Sequence, residues 1–140
     1  MYGGDAKLKY WNSDRSYLIV QSEVLHLQRD DAAWDGATAS YTKTTVSPTG
    51  GYAYADYNFA LRYNLGAGYE RWQEPTSDKT WDQAFKAFAG LALMEETTAF
   101  RLDWDHRTPG QPTGAPKPQA VNTITMRVIF SMGPHKAHQF

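Results

Sequence analysis

The sequence predicts an all-β protein: an antiparallel, up-and-down transmembrane β-barrel, or the C-terminal strands of a larger one. Three observations lead there. Apolar and polar residues alternate with a period of two in segment after segment, the signature of strands with two unlike faces. Short and long connections between those segments also alternate, as the turns and loops at the two ends of an outer-membrane barrel do. Finally, a chain that is only 41% hydrophobic carries nine Tyr and five Trp, ring amphiphiles suited to membrane interfaces.

Composition excludes several classes first. At 140 residues the chain has room for one domain. Its 14 Lys and Arg nearly balance 15 Asp and Glu, so the basic excess of a nucleic-acid surface is absent. Cysteine is missing, which removes disulfides, thiolate metal sites and cysteine nucleophiles together. Mean hydropathy is -0.61, and the longest apolar or small run, Ala87 to Met94, falls far short of the ~20 residues a spanning helix needs. Met1 to Lys9 contain no apolar stretch of a secretory leader.

Seven strands are expected in order. Residues 5–11 set Ala6, Leu8 and Tyr10 against Asp5, Lys7 and Lys9. In residues 16–28, Leu18, Val20 and Val24 oppose Gln21 and Glu23, although Ile19, Leu25 and Leu27 fall on the polar side. Residues 51–60 give the cleanest pattern, with Ala53, Ala55, Tyr57 and Phe59 against Tyr52, Tyr54, Asp56 and Asn58. Residues 65–72 place Leu65, Ala67 and Tyr69 opposite Gly66, Gly68 and Glu70. The segment 80–96 fits an amphipathic helix or a strand over 85–94; the hairpin rhythm of its neighbours favours the strand. Residues 98–106 alternate Phe100, Leu102 and Trp104 with Arg101, Asp103 and Asp105, and residues 121–132 alternate Ile124, Met126, Val128 and Phe130 with Thr123, Thr125 and Arg127.

Residues 12–15, 61–64 and 95–97 read as turns, whereas 29–50, 73–84 and 107–120 read as long polar loops. A bilayer admits strands only as a closed barrel, because every backbone N–H and C=O needs a partner there. Apolar faces would meet lipid, and charges such as Asp56, Glu70 and Arg101 would meet a water-filled lumen rather than a packed core, where each would cost several kcal/mol unpaired. Trp11, Tyr17, Tyr52, Trp72 and Trp104 are expected at the two interfaces. The competing architecture is a soluble antiparallel barrel or sandwich with its charged face in water. An odd strand count points to further strands, upstream or in another chain, completing the wall, since single-chain bacterial barrels usually have an even number; a complete eight-stranded barrel with one more strand in this chain is the next alternative.

The C-terminus carries a resemblance. A last alternating strand is followed by Gly133, His135, His138 and terminal Phe140. This Gly-x-His-x-x-His-x-Phe ending resembles a subset of bacterial outer-membrane porin-like proteins. Gly51-Tyr-Ala-Tyr-Ala-Asp-Tyr57, Leu65-Gly-Ala-Gly-Tyr-Glu-Arg71 and Thr98-Ala-Phe-Arg-Leu-Asp-Trp104 resemble the later hairpins of that subset. The resemblance implies an outer-membrane location with residues 133–140 as a periplasmic tail, outer-membrane lipid as the surroundings, and recognition of Phe140 by the barrel-assembly machinery. It implies passive diffusion of small hydrophilic solutes or ions, without cofactor or covalent chemistry. The alternative is a non-conducting barrel that sleeves or binds a partner protein.

Arg62, Glu70, Arg101, Asp103, Asp105 and Arg127 are the candidate lumen-lining residues. Asp103 and Asp105 lie about 7 Å apart on one strand face, a separation compatible with acid–base work on a glycoside, but a charged wall ladder is favoured over catalysis. Asp105 and His106 alternate across the strand and so point apart. His135 and His138 lack a third ligand nearby in sequence, so they make a labile metal site at best. No enzymatic function is expected.

Overall fold

A computed structural model of the chain describes residues 1–75, 80–94 and 98–130. They form nine strands: β1 (Tyr2–Ser13), β2 (Ser16–His26), β3 (Arg29–Asp35), β4 (Ser40–Val46), β5 (Thr49–Phe59), β6 (Tyr63–Gln73), β7 (Trp81–Met94), β8 (Thr98–Thr108) and β9 (Val121–Phe130). Seven make one sheet in the order β1-β2-β5-β6-β7-β8-β9, every pair antiparallel. The chain is therefore all-β, and 85–94 is strand, not helix.

Each expected segment falls on one of the seven strands, residues 131–132 of the last lying outside the described residues, with two differences. First, β7 begins at Trp81 rather than residue 85, because Asp82 and Ala84 continue the polar parity and Trp81 and Gln83 the other. Second, residues 29–50 are not a plain loop. They contain the β3–β4 hairpin, a separate two-stranded sheet. Its strands alternate Asp, Ala, Thr and Lys without one apolar face, so hydrophobic periodicity had nothing to register.

The connections do sort by length. Residues 14–15 and 60–62 join strands at one end, and 27–48 and 109–120 at the other; the turn expected at 95–97, and residues 76–79 of the loop expected at 73–84, lie outside the described residues. At the short end, Ala60 and Leu61 both take left-handed backbone, with φ of 52° and 62°, and Arg62 N–H donates to Phe59 C=O at 3.4 Å. Two consecutive left-handed residues define the type I′ turn whose twist matches a hairpin, here reached without glycine at a cost of about 1 kcal/mol per residue. Leu61 N–H donates to Arg15 C=O and Ala92 N–H to Arg62 C=O, tying this turn to strands on both sides.

The sheet is open. β1 and β9 each have one neighbour, and no closed barrel is formed among the described residues. Seven antiparallel strands also leave β1 and β9 running in the same direction, so they cannot close on each other antiparallel.

The registers assign the two faces. One face carries rows such as Leu8, Val20, Ala55, Ala67, Ala87, Trp104 and Ile124, or Tyr10, Leu18, Tyr57, Leu65, Ala89, Leu102 and Met126. Arg71, near the long-loop end, is the one formally charged residue on this face among the described strands of the sheet, and its guanidinium lies 4.5 Å from the centre of the Trp81 ring. The opposite face carries Lys7, Gln21, Tyr54, Gly68, Lys86, Asp105 and Thr123 in one row and Lys9, Ile19, Asp56, Gly66, Phe88, Asp103 and Thr125 in the next.

The apolar face is the exposed one. Leu65 is 59% exposed, Leu102 52%, Met126 68% and Ile124 73%. Val46 and Ala84 are the buried hydrophobic residues among those described. The expected aromatic interfaces need correction. Trp11, Tyr17, Tyr52 and Trp72 sit on the polar face, and Trp104 sits in the middle rows of the apolar one. The aromatic residues toward the ends of the apolar face include instead Tyr10, Tyr57, Phe59, Tyr63, Phe100 and Phe130 toward the short turns, with Tyr2, Tyr69, Phe85 and Trp81 toward the long loops. Position near a strand end did not decide this; parity did.

Candidate functional site: a charged cleft on the polar face

A cleft of about 310 Å³ lies on the polar face, lined by side chains of β5, β6, β7, β8 and β9. Strand alternation aims these groups to one side, and glycines make room for them. A Cβ on Gly66 would fall 2.1 Å from Phe88 Cζ, so the Phe88 ring lies flat across the bare backbone of β6.

Charges occupy the cleft as a ladder. Asp103, 7% exposed, is the centre of one group. Arg101 Nε donates to its Oδ1 at 2.8 Å, while Arg127 Nε donates to Oδ2 at 2.9 Å and its terminal nitrogen lies 2.7 Å from Oδ1. The pairing with Arg127 is a two-pronged fork, which fixes geometry as well as charge. The Arg101 guanidinium stacks 3.9 Å from the Phe88 ring centre. In the next row Lys86 Nζ lies 2.8 Å from Glu70 Oε1 and 3.7 Å from Asp105 Oδ1. Asp105 Oδ1 receives no hydrogen bond among the described residues.

Five of the six candidate residues are thus brought together: Glu70 and Asp105 through Lys86, and Arg101, Asp103 and Arg127 directly. Arg62 is not with them. It lies exposed in the turn after β5, its backbone rather than its side chain serving the sheet. Lys86 is the charged cleft residue outside those six apart from Asp56, because the apolar parity of 85–94 dominates its segment; the same alternation places it on the charged side.

A second cluster sits at the long-loop end. Asp82, 2% exposed, pairs with an Arg107 terminal nitrogen in a short contact and accepts from Gly110 N–H at 2.8 Å. A Cβ on Gly110 would meet Thr80 Cβ at 2.8 Å, so the start of the β8–β9 connection is packed down onto the start of β7. Sequence reading had no signal for this, since a loop glycine and a strand carboxylate meet only after folding. Toward β2, Gln21 Nε2 donates to Tyr52 hydroxyl and Tyr54 hydroxyl donates to Gln21 Oε1, each at 3.0 Å, with the two rings stacked.

The histidines of the strands face away from this chemistry. His26 Nδ1 meets Thr49 Oγ1 at 2.8 Å and His106 Nδ1 meets Asn122 Oδ1 at 2.9 Å, both on the apolar face toward the long loops. No group of three His, Asp or Glu residues among those described is placed to hold a metal ion. His135, His138 and Phe140, with the expected tail 133–140, lie outside the described residues. No helix among the described residues is long and apolar enough to cross a membrane, which leaves crossing by strands open.

Comparison with protein-family models, with curated proteins and with solved structures finds no match to the chain.

Proposed function

We propose that the seven-stranded sheet is part of the wall of an outer-membrane β-barrel, and that its polar face lines a lumen passing small hydrophilic solutes or ions. The observation that carries this reading is the inverted distribution of polarity. Large apolar side chains stand on the exposed face, while Asp103, the carboxylate at the centre of the arginine pairs, is buried on the other. Soluble monomers rarely expose an apolar patch larger than a few hundred Å², whereas lipid requires one. The length agrees: the 11 residues of β8, tilted ~45° at ~3.4 Å each, rise roughly 25 Å, the height of the apolar band of such barrels. The unpaired edges of β1 and β9 would take further strands, from upstream or another chain, and closure by antiparallel pairs needs an odd number of them.

In this mechanism wall charges set the local concentration and barrier for each ion. The cleft lining counts Asp56, Glu70, Asp103 and Asp105 against Lys86, Arg101 and Arg127, four negative and three positive, an excess of one negative charge that favours cations modestly. The test is conductance in planar bilayers of the full-length protein, together with the strands that complete the wall. Discrete steps with a mild cation preference are expected. Absence of steps at any salt overturns the pore reading and leaves the non-conducting barrel. A stable soluble monomer without detergent overturns the membrane reading itself.

A further inference from the structure

Two opposite charges in the cleft keep hydrogen-bonding capacity that their internal contacts do not use. Asp56 has no cationic partner among the described residues; it accepts only long hydrogen bonds from Asn64 Nδ2, at 3.4 and 3.5 Å. Arg101 spends its Nε on Asp103 and rests its guanidinium on Phe88, and no described acceptor claims its terminal nitrogens. Arg127 commits its Nε and one terminal nitrogen to the fork on Asp103. Asp56 and Arg101 line the same cleft yet form no ion pair with each other.

Phe88 holds them apart. Its ring lies over Gly66, the register partner of Asp56, and carries the guanidinium 3.9 Å from its centre. With strands ~4.8 Å apart, the free end of Arg101 stands on the order of 6–9 Å from the Asp56 carboxylate. A dipolar ion with charges about 3 Å apart, held at each end by a charge-assisted hydrogen bond of ~2.8 Å, spans about 8–9 Å. A simple cation or anion satisfies one end and leaves the other unmatched.

We propose that this cleft binds a small dipolar solute of the α-amino-acid type, its carboxylate on Arg101 and its ammonium on Asp56. The proposal deepens the pore reading by naming a solute class, but the site itself does not need the chain to conduct. Equilibrium binding to the full chain folded in detergent, followed by calorimetry or saturation-transfer NMR, tests it with alanine, propionate and ethylamine, which share a small apolar body and differ in their charged ends. Alanine is expected to bind at least about tenfold more tightly than either single-ended analogue, the usual scale for losing one charge-assisted bond. The isosteric variant Asp56→Asn is expected to weaken alanine about tenfold and leave propionate unchanged. Equal binding of the three probes, no binding of alanine, or an unaltered alanine affinity in Asp56→Asn overturns the proposal; the wild-type comparison alone decides it should the variant not fold. Alanine binding without conductance keeps the site and removes the pore, and conductance without alanine binding does the reverse.

Discussion

An arginine placed at Leu102 separates lipid from water as the surroundings of the apolar face. Leu102 is 52% exposed, lies near the middle of β8, and has Ala89 and Met126 as its direct register partners. In water, replacing a half-exposed surface leucine by arginine changes stability by no more than ~0.5 kcal/mol, because the new charge stays solvated. In a bilayer the same guanidinium sits near the midplane of the apolar band and costs ~2–4 kcal/mol, a roughly 30- to 1,000-fold shift in the folding equilibrium. Thr125→Arg supplies the control. It lies at almost the same height, but on the polar face between Asp103 and the β9 edge, so its cost is expected below ~1 kcal/mol. The assay is reversible urea unfolding in phospholipid vesicles, followed by tryptophan fluorescence, for wild type and both variants. A cost for Leu102→Arg within ~0.5 kcal/mol of that for Thr125→Arg refutes the argument, because then the two faces meet the same solvent.

Further outcomes follow from the polar side. Asp103→Ala leaves the Arg101 and Arg127 guanidinia without their shared acceptor and is expected to cost ~1–3 kcal/mol, while Asp103→Asn, which keeps one acceptor, costs less; the same unfolding assay reads both. Arg127→Glu is expected to raise cation over anion permeability in bilayer reversal-potential measurements, and unchanged selectivity places that residue away from the conduction path. Gly66→Val drives a side chain into the Phe88 ring and is expected to destabilise by ~1–3 kcal/mol through overpacking, with Gly66→Ala milder. Acid is expected to loosen the β3–β4 hairpin before the sheet. Lys43 and Thr45 hold the Asp30 carboxyl below its ordinary value of 3.8, and Thr38 with the Ala37 N–H does the same for Asp35. A depressed carboxylate pKa contributes stability that is present above the unfolded value and is lost as pH falls through the folded one. Faster amide exchange at Thr42 and Thr44 below about pH 4, with β5 and β6 protected, is the expected reading.

The strands of the large sheet are legible because two unlike solvents act on alternate residues. Where that contrast is strong, as in Thr98–Thr108, period two survives averaging, and within the ambiguous 80–96 the described residues Trp81–Met94 are strand. The contrast is absent in β3 and β4, whose Asp, Thr and Ala residues stand in solvent on both faces. A hairpin held by backbone bonds, the Asp35 side chain at its turn and the Trp34–Tyr41 ring pair therefore reads as loop. Closure is illegible for a different reason. It depends on what pairs with the edges of β1 and β9, and neither edge strand encodes its neighbour in its own alternation.

The charged cleft was half legible for the same physical reason. Parity tells which side chains share a face, so Glu70, Arg101, Asp103, Asp105 and Arg127 are found together. Parity says nothing about which of them touch, because partners are set by register across strands. Lys86 reaches both Glu70 and Asp105 only because β7 aligns it with Gly68 on one side and Asp105 on the other. A slip of one residue would carry it to the apolar face and remove the cation from between two carboxylates. Register is in turn pinned by local devices: the left-handed pair Ala60–Leu61 fixes β5 against β6, and the bare backbone of Gly66 fixes where Phe88 can lie. Those same two devices leave Asp56 and Arg101 facing one cleft without meeting, so the separation of these opposite charges is a product of turn and glycine placement rather than of the charged residues themselves.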